Sequence, residues 1–173
     1  MNIKRWFSII QFYVTSFSIF VANLKYSEMK GAEIHTSKGI MKVKFYEEDA
    51  PKNVANFIHL AETGFYNGLT FHRVIPNFVI QGGCPLGTGA GGPGYTVDCE
   101  LDGENQYHDR GVLSMAHAGR NTGGSQFFIC MNRRGTQHLD RHHTCFGKVY
   151  EGLEVIDQIR QGDIIDKIII TEI

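Results

Sequence analysis

From Gly31 onward glycine punctuates the chain every few residues, 20 of them in 173 positions, and the apolar runs between are short and tend to alternate with polar residues. That pattern favours many tight turns between short strands. "AEIHTS" and "IMKVKFY" flank Lys38-Gly39 and predict a hairpin. In its second arm Met41, Val43 and Phe45 alternate with Lys42 and Lys44, the period of a half-buried strand. Further strands are expected at 70–75, 78–82, 94–100, 111–116, 126–131, 144–150 and 166–172. Two helices complete the set. One is capped by Asp49, has Pro51 in its first turn, presents Val54, Phe57, Ile58 and Ala61 on one face and stops at Gly64. The other spans "GLEVIDQIRQG", with Leu153, Ile156 and Ile159 on one face and Gly162 at its end. Strands and helices do not alternate, which argues against a doubly wound parallel sheet. The expected fold is mainly β, a closed eight-stranded antiparallel barrel capped by two α-helices, because closure removes exposed edges.

The expected domain is 29–173. Residues 1–28 differ from it: Lys4 and Arg5 precede a mainly apolar run from Trp6 to Ala22. Its 17 residues include Ser8, Gln11, Thr15, Ser16 and Ser18, short and polar for a spanning helix, and Phe20 spoils a cut after Ala22. Two readings carry equal weight. Either the segment is an export or anchor signal, or Met29 is the true start and the protein is cytoplasmic.

Charge and motifs exclude several functions. Seventeen Lys plus Arg against eighteen Asp plus Glu leave a net charge of -1 with no basic block after position 30, so nucleic acid is not expected as a partner. Cys84, Cys99, Cys130 and Cys145 form no CxxC pair and are expected as free thiols. "GTGAGG" at 87–92 matches the letters of a phosphate loop, but Pro93-Gly94 and a predicted strand follow where a helix should start, and it is taken as a glycine loop that lets another backbone come close. "GGSQF" at 123–127 lacks the final glycine of a hydrolase elbow. His138, His142, His143 and Cys145 lack a second, separately spaced pair of zinc ligands, so no metal is expected.

What remains is a polar residue in each of three apolar runs. Side chains two apart on a strand share a face, so Val79 lies beside Gln81 and Gln126 beside Phe128, while Arg73 faces away from His72 and Val74. If these strands adjoin, they make an apolar patch bordered by one guanidinium and two carboxamides. Taken alone, Arg73 is better explained by a salt bridge to a neighbouring carboxylate.

At "FHRVIPNFVIQGG", "SMAHAGRNTGGSQFFI" and "HLDRHHTCFGKV" the chain closely resembles the cyclophilins, and the similarity covers about residues 31–173. "GGCPLGTGAGGPGY" looks most like the single-domain bacterial type. The resemblance implies an eight-stranded barrel with two helices and a cofactor-free peptidyl-prolyl cis-trans isomerase that assists protein folding. Its partners would be proline-containing peptides and unfolded segments, and the protein is expected to be a monomer. It implies Arg73, Gln81 and Gln126 as catalytic residues. Phe78, Val79, Phe128 and Leu139 would hold the proline ring, and Ala116, His117, Ala118, His138 and His143 would line the peptide's path. Val79, His117, Arg120 and His138 depart from the family's commoner Met, Asn, Pro and Trp. That Trp serves cyclosporin binding more than turnover, so cyclosporin should bind weakly. The alternative is a proline-peptide binding module of the same fold without turnover. A metal-dependent enzyme would instead lose its activity to a chelator.

Overall fold

The computed structural model describes residues 29–173, so the signal or misplaced-start expectation for 1–28 lies outside the described residues. Strands β1 (Lys30–Thr36) and β2 (Gly39–Phe45) form the predicted hairpin, with Ile34 opposite Met41 and Ala32 opposite Val43. Helix α1 (Pro51–Glu62) follows, then β3 (Arg73–Ile75), β4 (Val79–Gly82), β5 (Val112–Met115) and β6 (Phe127–Cys130). A short helix α2 (Arg133–Thr136) leads through a 3-10 turn (Gln137–Leu139) to β7 (Cys145–Glu151), α3 (Leu153–Gln158) and β8 (Ile165–Glu172).

All eight strands lie in one antiparallel sheet ordered β3-β4-β6-β5-β7-β2-β1-β8. The expected closure is corrected. The two edge strands do not form a ladder with each other. The chain just before each of them does the joining, through a single bridge between Thr70 and Ile164 and bonds such as Phe71 N–H to the Asp163 carbonyl at 2.8 Å. β3 is three residues long because Phe71, fully buried, draws the preceding chain into the core instead of along β8. The seam therefore satisfies its backbone without continuous pairing.

The core sits inside the curved sheet under α1. Val54, Phe57, Ile58 and Ala61 all face it, as their spacing predicts. Phe57 meets Phe127 edge-on at 5.3 Å and Phe146 at 5.1 Å, geometries that suit aromatic quadrupoles.

Four local expectations are corrected. The helix cap is not Asp49, whose carboxylate accepts from Asn105 N–H. Glu100, 48 residues beyond, accepts from Lys52 N–H at 3.1 Å and Asn53 N–H at 3.0 Å, supplying negative charge where α1 exposes unpaired donors. The segment 94–100 is consequently loop, tied down by a bridge from Val97 to Gly123 and by Cys99 N–H donating to Asn121 Oδ1 at 2.9 Å. A third helix, α2, exists because Asn132 caps it, its Oδ1 accepting from Arg134 N–H at 2.9 Å. Finally, α3 ends at Gln158, well before Gly162, since Ile159 turns extended to bury its side chain.

Candidate active site

β4, β6 and β5 have apolar residues on both faces. Ile80, Ile129 and Leu113 point into the main core, while Val79, Phe128 and Val112 build a second cluster on the outer face with Cys130 and Cys145. Phe78, Ala116 and Leu139 border that cluster and leave it open as the floor of a groove of about 850 Å³. β3, β4 and β6 do adjoin, and their register sets Arg73 opposite Gln81 and Gln81 opposite Phe128. Three successive strands thus carry a guanidinium, a carboxamide and a phenyl ring in one row, spaced by the sheet itself.

Hydrogen bonds extend that row into a directed chain. Arg73 Nη1 donates to Gln81 Oε1 at 3.1 Å, Gln81 Nε2 donates to Gln126 Oε1 at 3.2 Å, and Gln126 Nε2 donates to the carbonyls of Gly89 and Gly91, both at 2.8 Å. Every amide is oriented by the next, so each turns its oxygen toward the guanidinium side. The glycine loop is the anchor of this chain, a role invisible in "GTGAGG" alone. Cys84 Sγ in turn holds the loop by accepting from Gly89 N–H at 3.2 Å and Gly91 N–H at 3.3 Å. Burial pushes this thiol up, but N–H donors from Gly91, Thr88, Gly89 and Leu86 outweigh it and leave its pKa below the ordinary value.

Arg73 is exposed and, among the described residues, has no carboxylate in ion-pairing distance; its Cζ lies 5.7 Å from the Phe78 ring centroid. The salt-bridge explanation for this arginine is therefore set aside. Phe78, Val79, Ala116, His117, Ala118, Gln126, Phe128, Leu139 and His143 all line the same groove as Arg73 and Gln81. His138 does not line it. It stacks on Phe78 at 5.7 Å and 14° and supports the wall from outside.

His117 and His143 lie face to face, centroids 4.0 Å apart. A backbone carbonyl can only accept, so His117 Nε2 carries a proton toward the His142 carbonyl at 3.0 Å and His143 Nδ1 carries one toward Met115 at 3.1 Å. Burial, then the neighbouring His117, keep the His143 pKa below its usual value. Behind the floor, His108 is fully buried, stacked on Phe128, and sits between Asp140 Oδ1 at 3.3 Å and Ser114 Oγ at 2.9 Å. Arg133 clamps the same Asp140 through two bonds, 2.7 and 2.6 Å. Neither His108 nor Asp140 was singled out from sequence, because nothing local marks a pair 32 residues apart.

Sequence reasoning missed several lining residues, among them Pro93, Tyr95, Thr96 and Thr122. Tyr95 is fixed by its hydroxyl donating to Asn56 Oδ1 at 2.8 Å. No group of three or more metal-ligating side chains occurs among the described residues.

A groove that pairs an apolar ring pocket with an unpaired, amide-oriented guanidinium is the equipment of a peptide-binding isomerase rather than of a hydrolase. The family described as "Cyclophilin type peptidyl-prolyl cis-trans isomerase/CLD" matches residues 32–173, and the chain belongs to it. A peptidyl-prolyl cis-trans isomerase of Helicobacter pylori (strain ATCC 700392 / 26695) is 55% identical over 140 residues, 80% of this chain and 85% of that protein. Peptidyl-prolyl cis-trans isomerase B of Bacillus subtilis (strain 168) is 57% identical over 129 residues, 73% of this chain and 89% of its own length. A cyclophilin-type isomerase of Cryptosporidium parvum superposes with a TM-score of 0.76 at 34% identity, covering 84% of this chain and 99% of that one. The same protein studied in the presence of the dipeptide Ala-Pro gives a TM-score of 0.70 at 37% identity, over 82% and 96%. The chain is accordingly a prolyl isomerase, an enzyme that catalyses rotation about Xaa-Pro bonds.

Proposed function

We propose that Arg73 is the catalytic donor, held in place by Gln81 and Gln126, and that the Phe128 pocket grips the proline ring of flexible or unfolded protein segments. Rotation about a prolyl bond sacrifices amide resonance, a barrier of roughly 18–20 kcal/mol. Lowering it to a turnover of about 10 ms takes about 5.5 kcal/mol. In the twisted transition state the proline nitrogen regains a lone pair. A donor aimed there binds the transition state more strongly than the planar ground state.

The observation that carries this proposal is the Arg73–Gln81–Gln126 chain. Gln81 occupies one donor of the guanidinium, and the others remain for the substrate. Two neutral amides orient the cation without neutralising it, as a carboxylate would. Val79, Phe128 and Leu139 hold the ring while the rest of the peptide turns, and His117 and Ala118 border the path of its backbone. The Ala-Pro dipeptide named for the Cryptosporidium parvum relative supports the same class of ligand here.

We further propose that the protein is a monomer that binds cyclosporin weakly, since the small ring of His138 stacks on Phe78 and does not reach the groove, where the family frequently has a larger indole. His138→Trp should tighten inhibition. N-terminal sequencing of the natural protein distinguishes an exported or anchored form from one starting at Met29.

The test is protease-coupled kinetics on a short Ala-Pro peptide. Arg73→Ala is expected to lower kcat/KM by about two to three orders of magnitude, or about 3–4 kcal/mol. Equal rates would overturn the role of Arg73.

A further inference from the structure

The groove continues past the proline pocket between two loops, 89–96 and 117–124. Its lining contains Arg73, His117 and His143 but no Asp or Glu, in a chain whose acidic and basic residues nearly balance. One further cation stands at its rim. Arg120 is exposed at the tip of the turn between Ala118 and Thr122, both of which line the groove.

The mount of that side chain is firm. Thr122 Oγ1 donates to the Gly119 carbonyl at 2.8 Å and accepts from Ala118 N–H at 3.2 Å. Asn121, left-handed at φ 62, uses its Oδ1 to accept from Cys99 N–H at 2.9 Å and its own N–H to reach Cys99 Sγ at 3.3 Å. The arginine itself is idle: among the described residues its side chain makes no hydrogen bond or ion pair. Arg110 and Arg133, by contrast, are spent on Asp157 and Asp140. A held turn that carries an exposed guanidinium beside a groove whose lining has no carboxylate is complementary to an anionic partner.

We propose that Arg120 gives this isomerase a preference for Xaa-Pro segments with an acidic side chain beside the proline. The proposal rests on the groove being the substrate site. It also assigns Arg120 a protective use, because a client carboxylate held at the rim is kept from pairing with Arg73, whose donors the reaction needs.

The experiment compares kcat/KM on short peptides carrying Glu, Gln, Lys or Ala on either side of proline. At low salt the wild type is expected to favour Glu over Lys by about fivefold on at least one side, and the difference should shrink in roughly 0.5 M salt. Arg120→Ala should remove the preference, Arg120→Lys should restore most of it, and Arg120→Glu should invert it. Inversion and salt sensitivity are outcomes that mere loosening of the loop does not produce. If the wild type turns over the Ala peptides but treats Glu and Lys alike, this proposal fails and the isomerase assignment stands. If the preference survives in Arg120→Ala, Arg120 is not its source and the proposal is overturned. Failure to turn over any peptide would instead overturn the substrate site itself.

Discussion

Gln81 stands directly across the β3–β4 ladder from Arg73 and accepts a guanidinium proton at 3.1 Å, so one backbone pairing fixes both the charge and its orienting dipole. Gln81→Leu keeps approximate volume and removes that acceptor. It is expected to lower kcat/KM about tenfold, chiefly through kcat, as the transition-state role proposed for Arg73 implies. Gln126→Leu, one bond further away, should cost less. A change confined to KM in both variants would show that the amides bind peptide rather than direct Arg73.

Cys84 is predicted to matter to turnover although it lines no part of the groove. Its sulfur holds the N–H groups of Gly89 and Gly91, whose carbonyls hold Gln126. Cys84→Ala should reduce kcat/KM by about threefold to tenfold with little change in the unfolding midpoint, and Cys84→Ser should recover part of the loss. Unchanged kinetics in Cys84→Ala would detach the loop from catalysis.

Gly135→Ala is expected to destabilise the fold by about 1–3 kcal/mol. A Cβ there would run into the Asn77 carbonyl, at the turn that carries Phe78 and Val79 into the groove. Urea unfolding measures the loss, and an increase in KM should accompany it. Full stability would mean that α2 can shift off the turn without strain.

Stability should depend on pH through His108. Burial pulls its pKa down to about 4 from 6.5, the neighbouring Asp140 opposing this only partly, so the folded protein favours the neutral ring. The stabilisation is complete above pH 6.5 and is lost as pH falls toward 4, the loss reaching about 3 kcal/mol at pH 4. Asp140, lowered to about 2 chiefly by its bonds to Arg133, keeps its own contribution until pH falls below its ordinary 3.8. Urea titrations between pH 7 and 4 should therefore show a slope that His108→Gln flattens. An equal slope in the variant would shift the cause to the other lowered histidines, His72 and His143.

Strand periodicity made much of this architecture legible. Met41, Val43 and Phe45 are buried as their alternation predicts, and the facing of Arg73, Gln81 and Phe128 follows from period two once the strands are neighbours. What escaped was everything set by long-range register. Glu100 caps a helix 48 residues earlier, and Gln126 finds Gly89 from 37 residues away. Local composition carries no mark of either. Full closure was expected from the general cost of exposed edges, yet the burial of Phe71 allowed a seam of a few hydrogen bonds to serve instead. His138 was placed in the site by resemblance but is not part of the groove's lining; it stacks on Phe78, which is.

Gln81 and Phe128 ride on short strands packed on both faces, with Arg73 on the exposed edge strand beside them, whereas Ala118, Arg120 and Tyr95 ride on loops outside that packing. If the roles proposed for Arg73 and Arg120 hold, chemistry and client choice become separable for the protein engineer. Rewriting the turn at Arg120 should redirect the enzyme among substrates at little expense in turnover, whereas the 89–91 loop anchors Gln126 and any change to Gln81 or Phe128 must respect the apolar layers on both faces of their strands.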